Sequence, residues 1–474
     1  MSVESNSEPL ALPDEVRAVN VGLAGFGEAV RAQGAESVDV EWRIPAGGDP
    51  ELVETLVRLY GPHSTAIDQA NEEVLRRIDE SAPMLVGVGA AADDVPEMGE
   101  RTILHPGPPL PWEELCDPLR RSVHAAVIAE GWAETPQEAG KLVASGEVWL
   151  DAANHHDTVL PMATTLGPSA PVLLVENPQG DRRAFAPINQ GPGDQQWLGV
   201  DRPEAVERLV FLREAAGPVL DAAIRAGDPL DVFSIAAQAL QMGDDAHMRS
   251  QAATNLTIRF LLPRLLSLGD PRTAEVGTFL SENHLFFLTM GMAAAKATML
   301  WAGEVEGSSV VTGMSRNGTT FGVRLPGMDE WFSVPAPPVE DALFHGDYGP
   351  EDAAPDIGDS AILELVGLGG AAAAASPAVA AFVGGTMADA VAATEEMVRI
   401  CLGRSNRFKL PYLGFRGSPI GVDLRRVVEL EITPSINTGI LHASEGAGQI
   451  GAGVAHAPVE CFREALLALD ASLA

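Results

Sequence analysis

The chain of 474 residues is 46% hydrophobic and 20% charged, a composition typical of globular proteins, and its length predicts two to four domains. Its 66 acidic and 31 basic residues give a formal net charge of −35, which argues against binding to nucleic acid or to a membrane surface. Cys116, Cys401 and Cys461 form no CxxC motif, so they predict neither a disulfide framework nor a zinc site and fit a reducing cytoplasm.

The first 200 residues carry alternating strand-like and helical segments. Residues 1–15 are acidic and polar, so we expect a disordered tail rather than a signal peptide. Residues 16–100 alternate short apolar runs with helical spacing, which predicts a Rossmann-like domain with a parallel sheet. Asp49 and Ser64 are the expected N-caps of two of its helices. Residues 101–201 predict an α/β domain that pairs with the C-terminal part of the chain.

The remaining residues predict a helical domain followed by an α/β domain. Residues 202–304 have helical periodicity nearly throughout and are expected to form an inserted helical domain. Residues 305–474 predict a C-terminal α/β domain with glycine-rich loops. The uncharged run 365–388 is broken by glycines and a proline and is too poor in Leu, Ile and Phe for a membrane span. It predicts buried small-residue packing, which leaves a homo-oligomer open.

Glycine-bearing loops near the C-terminus are the first candidate site. Glycine permits positive φ and lets backbone N–H groups converge on an anion, particularly beside a guanidinium. The alternative is that these glycines only turn the chain. The candidate residues in these loops are Arg416, Gly417, Asn437, Thr438, Gly439, His442 and Gln449.

The segment Arg316-Asn317-Gly318 is the second candidate. Asn-Gly between two strand-like runs predicts a β-hairpin. An arginine on a rigid hairpin tip can grip a phosphate or carboxylate with two hydrogen bonds. The alternative, with equal weight, is that Arg316 is a solvated residue on a plain turn.

Polar residues in or near apolar helices supply further candidates. In the segment 243–249, an aspartate is a natural N-cap, and His247 with an aspartate could bind a divalent metal, although the spacing fixes no third ligand. Asn283 heads an apolar helix as either a cap or a cleft lining. Lys296, inside that helix, either extends to water or neutralises a buried anion. His156 either donates to a carbonyl or carboxylate or is an ordinary loop histidine.

Lysine is scarce: only Lys141, Lys296 and Lys409 occur among the 31 basic residues. The scarcity of lysine and the excess of acidic residues lead to the hypothesis that the source is salt-adapted or GC-rich. An anionic substrate would be repelled by the whole molecule, so its site must concentrate the few cations.

Long blocks in a fixed order identify the chain as a member of the YlbE/AllG family. The blocks that carry the resemblance include HDTVLPMATTLGPSAPVLLVEN, ALQMGDDAHMRSQAA, NHLFFLTMGMAAAKA, VVTGMSRNGTTFGVRLPG, DIGDSAI and FRGSPIGVDLRRVVELEITPSINTGILHASEGAGQIGAG. The opening VNVGLAGFGEAVRAQGA also resembles a pattern in the FdrA-type partner subunit. Leu160, Met248 and Ser250 depart from the family pattern, which puts the identity of the substrate in doubt.

The resemblance implies a cytoplasmic subunit of an oxamate carbamoyltransferase, without cofactor or metal, that works with an FdrA-type subunit and a small third subunit. Such a complex interconverts oxalurate and phosphate with oxamate and carbamoyl phosphate in allantoin catabolism. The expected catalytic residues are His156, Arg316, Asn317 and Arg416. The expected substrate-binding residues are Asn283, Lys296, Gly318, Gly417, Asn437, Thr438, Gly439, His442 and Gln449.

Two other functions remain open on sequence grounds. The chain could be a non-catalytic scaffold or binding subunit of the same complex. It could also be a stand-alone enzyme acting on another small amide or carbonyl compound.

Overall fold

The computed structural model describes residues 17–40, 43–339 and 341–473. The elements before residue 150 are β1 (Arg17–Val21), α1 (Ala24–Ala32), β2 (Glu36–Val40), α2 (Pro50–Tyr60), α3 (Ser64–Glu80), β3 (Met84–Ala90), α4 (Ala91–Asp94), β4 (Thr102–His105), α5 (Asp117–Ala129), α6 (Pro136–Ala144) and β5 (Trp149–Ala152). The Asp49 carboxylate accepts the N–H groups of Glu51 and Leu52, which confirms it as the N-cap of α2. The prediction for Ser64 is wrong by one position, because His63 is the N-cap of α3.

The predicted parallel Rossmann-like sheet over residues 16–100 is wrong. Among the described residues β1 and β2 pair in parallel only with each other, and Val19, Leu23, Phe26 and Val38 around them are exposed. β3 instead lies in an antiparallel sheet of order β7-β6-β3-β8, with β6 (Pro171–Asn177), β7 (Arg182–Pro187) and β8 (Leu230–Asp231). Spacing along the chain predicts the strands, but the partners of β3 come from segments more than 80 residues away.

The expected helical segment is present between residues 202 and 304. It contains α7 (Pro203–Phe211), α8 (Gly217–Arg225), α9 (Val232–Gln241), α10 (Gln251–Ser267), α11 (Thr273–Glu282) and α12 (Phe286–Ala302). Among the described residues no single helix has the length and apolar character to cross a membrane. α11 and α12 reach that length and character only as a pair bent by 83°. α12 is buried along nearly its whole length and packs on β6 and β7.

The C-terminal third is built from three antiparallel sheets with helices between them. Its elements are β9 (Gly313–Asn317), β10 (Thr320–Arg324), β11 (Phe332–Pro335), β12 (Asp341–Phe344), β13 (Ile357–Gly358), α13 (Ile362–Leu365), α14 (Pro377–Phe382), α15 (Met387–Ile400), β14 (Cys401–Leu410), β15 (Arg416–Val422), α16 (Leu424–Leu430), β16 (Ser435–Leu441), β17 (Gln449–His456) and α17 (Val459–Leu473). β9 and β10 pair around Gly318, which confirms the predicted hairpin. The sheet orders are β11-β10-β9-β13, β12-β17-β16 and β14-β15.

One hydrophobic cluster runs through the described chain from Ala46 to Leu469. It includes the small-residue segment Gly369–Ala375, a 3-10 helix in which every residue is buried. The helices and strands confirm the predicted mixed α/β architecture. The domain boundaries stay a prediction. The packing of residues 369–375 against β16 brings the C-terminal strands next to the loops of the first half.

Candidate functional site

A cleft gathers residues from six well-separated parts of the chain. Apolar side chains form much of its wall, and a small number of hydroxyl, amide and imidazole groups face it. Its lining includes Pro161, Met162, Trp197, His247, Met248, Leu285, Leu288, Ser360, Asn437, Thr438, Gly439 and Gln449. The six segments are the loop before β6, the turn after β7 that carries Trp197, the 243–249 turn, the start of α12, the residues after β13, and β16 with β17.

Two non-glycine residues beside the cleft adopt left-handed backbone conformations. Met162 has φ of 49° and lines the cleft, and Ala246, with φ of 63°, precedes the lining residue His247. Such conformations cost of order 1–3 kcal/mol each and persist only where the surroundings enforce them. Gly358 enforces the first, because a Cβ at this position would lie 2.4 Å from the Met162 nitrogen.

A buried histidine–carboxylate pair opens onto this cleft. The Nδ1 atom of His247 lies 2.7 Å from Oε1 of Glu364, and Oε1 also accepts the Gly370 N–H at 3.0 Å. Nε2 of His247 has no hydrogen-bond partner among the described residues. A carboxylate at Nδ1 favours the tautomer with the proton on Nδ1, so Nε2 offers a lone pair to a bound molecule. Position 369 must be glycine, since a Cβ there would lie 2.2 Å from Oε1 of Glu364.

The buried carboxylate of Asp245 holds the two sides of the cleft together. Oδ1 accepts the backbone N–H of His247 at 3.1 Å, and Oδ2 accepts Nδ2 of Asn437 at 2.6 Å. The histidine and the asparagine of β16 therefore keep a fixed separation. Because Nδ2 of Asn437 is directed to Asp245, its amide orientation is set by this bond.

Arg316 lies behind the cleft and is fully buried. Its Nε donates to Asp356 at 2.7 Å, and its terminal nitrogens donate to the hydroxyls of Ser360 and Thr438 at 3.2 and 3.3 Å. Thr438 donates in turn to Asp356 at 2.8 Å. The positive charge is thus already balanced by Asp356 and reaches the cleft only through the two hydroxyl groups.

Comparison with known proteins places these features in a family. Residues 148–360 match the model described as oxamate carbamoyltransferase subunit AllG. The Escherichia coli K12 protein of that name is 40% identical over 415 residues, which are 86% of this chain and 99% of that protein. The chain belongs to the AllG family. The E. coli protein YahG, named as uncharacterized, is 37% identical over 98% of both chains. A crystal structure of a conserved protein of unknown function from Enterococcus faecalis V583 has a TM-score of 0.84 at 36% identity, covering 86% of this chain and 99% of that one.

In this AllG-family chain the cleft brings together only part of the predicted site. Asn437, Thr438, Gly439 and Gln449 line it, and Arg316 supports it from behind. Asn317 and Gly318 occupy the covered hairpin turn instead: Nδ2 of Asn317 donates to Pro108 O, and a Cβ at Gly318 would meet the Cys116 sulfur. The hairpin tip is therefore not a solvated turn.

The other predicted residues lie away from the cleft. Arg416 is exposed and pairs with Glu395 at 2.7 Å, and Gly417 packs against the Ser405 backbone. His156 bonds Pro96 O at 2.7 Å, Asn283 donates to Asn189 O at 2.9 Å, and the His442 ring lies against Tyr348. Lys296 lines a separate cavity. The expected gathering of Arg316, Arg416 and Lys296 in one pocket is therefore wrong, because each is held by a different part of the fold.

Sequence reasoning missed the pairing of His247 with Glu364. The 243–249 segment predicts an N-cap and a candidate metal ligand at His247, but no carboxylate partner for its ring. In the described part of the chain no cluster of three or more His, Cys, Asp or Glu side chains could hold a metal ion. Glu364 lies 117 positions from His247, in an apolar stretch where a lone carboxylate signals a buried partner.

The three departures from the family pattern have distinct surroundings. Met248 lines the cleft itself. The Leu160 N–H donates to Asp359 at 2.7 Å, a bond that any residue with an N–H makes. The Ser250 hydroxyl is buried without a hydrogen-bond partner among the described residues. Met248 is thus the departure most directly placed to affect ligand choice.

Proposed function

We propose that this chain is the subunit of an oxamate carbamoyltransferase-like complex in allantoin catabolism that carries the proton-transfer centre, with an FdrA-type subunit and a small third subunit as partners. The observation that carries this proposal is the His247–Glu364 pair, whose free Nε2 faces a cleft lined by hydroxyl and amide groups. The name of the 40%-identical relative supports the choice of reaction.

Carbamoyl transfer requires a group that takes a proton from the attacking nitrogen in one direction and returns it to the leaving nitrogen in the other. When oxamate reacts with carbamoyl phosphate, the oxamate nitrogen attacks the carbamoyl carbon, a C–N bond forms, and the C–O bond to phosphate breaks. The attacking nitrogen loses a proton, which Nε2 of His247 accepts. In the reverse direction the same atom returns that proton to the leaving nitrogen.

The carbonyl oxygen gains negative charge in the tetrahedral transition state and needs hydrogen-bond donors. Ser360 is the best placed donor, because its oxygen already accepts from Arg316 and its O–H is free to point into the cleft. Arg316 acts through this hydroxyl as a positioning residue. The second hydrogen on Nε2 of Gln449, beside its bond to Gly451 O, is a further donor.

The test is the reaction of oxalurate with phosphate by the complex reconstituted from this chain and its two partners. We expect His247→Gln to lower kcat/KM by about 10²- to 10⁴-fold, because proton transfer is lost. Glu364→Gln should also lower kcat/KM, since the amide no longer fixes the histidine tautomer. His345→Gln, at an exposed site away from the cleft, is the matched control.

An unchanged rate in both variants, with the complex intact by size-exclusion chromatography, would contradict the catalytic role and leave the scaffold function. Activity of this chain without partners would instead point to a stand-alone enzyme. Copurification of the three chains tests the assembly separately from the chemistry.

A further inference from the structure

A second cavity lies between the C-terminal end of α12 and the β9–β10 hairpin. It is separate from the cleft but connected to it by hydrogen bonds. Lys296 in the cavity wall bonds Asn154, and Nδ2 of Asn154 donates to Asp359, the residue before the cleft residue Ser360. Both sites therefore share one buried polar wall.

Lys296 is a buried ammonium without an ion-pair partner. It is 5% exposed, and Nζ bonds only the backbone oxygen and Oδ1 of Asn154, at 3.3 and 3.1 Å. No carboxylate in the described residues forms an ion pair with it. A buried charge is costly unless it is paired, so this lysine lacks the counter-charge that its burial requires.

Arg324 brings a second positive charge to the same cavity. Its guanidinium stacks on Trp331 at 5.6 Å and donates to Met328 O at 3.2 Å. Its one carboxylate contact is Asp329 Oδ1 at 3.3 Å, and the Asp329 side chain is fully exposed. Such an exposed pair contributes little to stability, so an anion in the cavity can compete with Asp329 for the guanidinium.

The remaining polar groups of the wall are mainly donors. The indole N–H of Trp331 is buried and has no acceptor among the described residues, and the Thr312 hydroxyl also lines the cavity. Glu304 is the other acidic lining residue, and its carboxylate is already shared between Arg77 and Arg182. An ammonium, a guanidinium and an indole N–H therefore face the cavity, while Asp157 and the buried Asp359 act on these cations from nearby without forming an ion pair with Lys296 among the described residues.

We propose that Lys296, Arg324, Trp331 and Thr312 bind a small dianionic oxyanion. The Lys296 ammonium and the Arg324 guanidinium, whose one ion pair among the described residues is with the exposed Asp329, match two negative charges, and the indole N–H and hydroxyl supply hydrogen bonds to the oxygens of the anion. Phosphate and oxalate are the two simplest ions with this chemistry. The proposal does not depend on carbamoyl transfer, because it concerns binding in a cavity that contains neither His247 nor Glu364.

Binding is tested on the full chain by isothermal titration with inorganic phosphate, oxalate and chloride in separate experiments. We expect one equivalent of phosphate or oxalate to bind, and chloride to bind more weakly. Lys296→Met and Arg324→Gln should each weaken binding at least tenfold. Lys141→Met and Arg399→Gln change exposed residues and are the matched controls. Both should leave anion binding unchanged.

Trp331 gives an independent optical signal. The anion should change the tryptophan emission of the wild type, and Trp331→Phe should lose this change while six other tryptophans remain. Because Arg324 is only partly buried, we expect Arg324→Gln to fold. This variant therefore still tests the proposal if Lys296→Met does not fold. Absence of binding by both dianions at millimolar concentration, or binding that neither cavity variant weakens, would overturn the proposal.

Discussion

The charge state of the buried Lys296 links folding to the pH and anion content of the solution. Burial, followed by repulsion from Arg324, lowers the pKa of Lys296 from 10.5 to about 8. Below pH 8 the ammonium is charged in both folded and unfolded chains, and the folded chain bears the whole desolvation cost. Between about pH 8 and 10.5 the folded chain has released a proton that the unfolded chain still holds, so stability rises with pH in this window.

Lys296→Met should therefore stabilise the anion-free protein at pH 7, by up to about 3 kcal/mol, since it removes this desolvation cost. The advantage should shrink as pH rises from 8 to 10.5 and should also shrink when phosphate is added at pH 7. Urea unfolding of the wild type and the variant at several pH values measures the difference, in which all other titrating groups cancel. A pH-independent difference would contradict the pKa assignment.

Asp244 gives a prediction of the opposite sign. Burial raises its pKa from 3.8 to about 6, although the Ala253 N–H donates to its carboxylate at 2.9 Å. Between these two values the folded chain holds a proton that the unfolded chain lacks, so this stability contribution is lost as pH rises to 6. Asp244→Asn should thus gain about 3 kcal/mol over the wild type between pH 4 and pH 7, measured by urea unfolding. Asp93→Asn, at an exposed position, is the control.

At this scale the sequence predicts residue types better than their roles. Asn437, Thr438, Gly439 and Gln449 share one glycine-rich region of the sequence and line one cleft, while their role in substrate binding stays a prediction. Arg316 was expected to be available to a ligand, but its charge is neutralised by Asp356, 40 positions away. Nothing local to an arginine in the sequence shows that distant partner.

Among the elements, the glycines of the 3-10 segment 369–375 determine how closely β16 can pack. A Cβ at Gly370 would lie 2.0 Å from the backbone oxygen of Ser435, at the start of β16. The strand carries Asn437 and Thr438 into the cleft, so the backbone contact at Gly370 also positions the site. A rigid backbone oxygen cannot move as a side chain could.

Gly370→Ala should therefore destabilise the protein by several kcal/mol, as expected for overpacking and strand displacement. Gly277→Ala is the matched control, because Gly277 lies inside α11 with no atom near the added Cβ. It should be more stable than the wild type by about 0.5–1 kcal/mol through higher helix propensity. Urea unfolding of both variants checks the contrast, and equal effects would show that the Ser435 contact yields.

Element type was more predictable than element pairing. Helical periodicity identified residues 202–304, and Asn-Gly identified the β9–β10 hairpin, because both signals are local. The pairing of β3 with β6 depends on contacts across more than 80 residues, and several pairings satisfy the same apolar pattern. The sheet arrangement thus required tertiary information that one strand–helix–strand pattern does not contain.

For the whole molecule, the net charge of −35 makes electrostatic repulsion a term of the folding free energy. Basic residues are outnumbered by more than two to one, so most of them sit in local ion pairs while many carboxylates have no cation to pair with. Salt weakens both the exposed ion pairs and the long-range repulsion. Exposed pairs contribute little individually, so the loss of repulsion should dominate.

We therefore expect the melting temperature to rise by several degrees as NaCl increases from about 0.01 to 1 M, which shortens the screening length from about 30 to 3 Å. Differential scanning calorimetry in a phosphate-free buffer measures this effect without phosphate binding in the Lys296 cavity. Most of the rise should occur below about 0.3 M, because screening saturates there, whereas a salting-out effect continues to grow with concentration. A melting temperature that does not change below that concentration would show that the surface charge is balanced locally, and it would remove the hypothesis of salt adaptation.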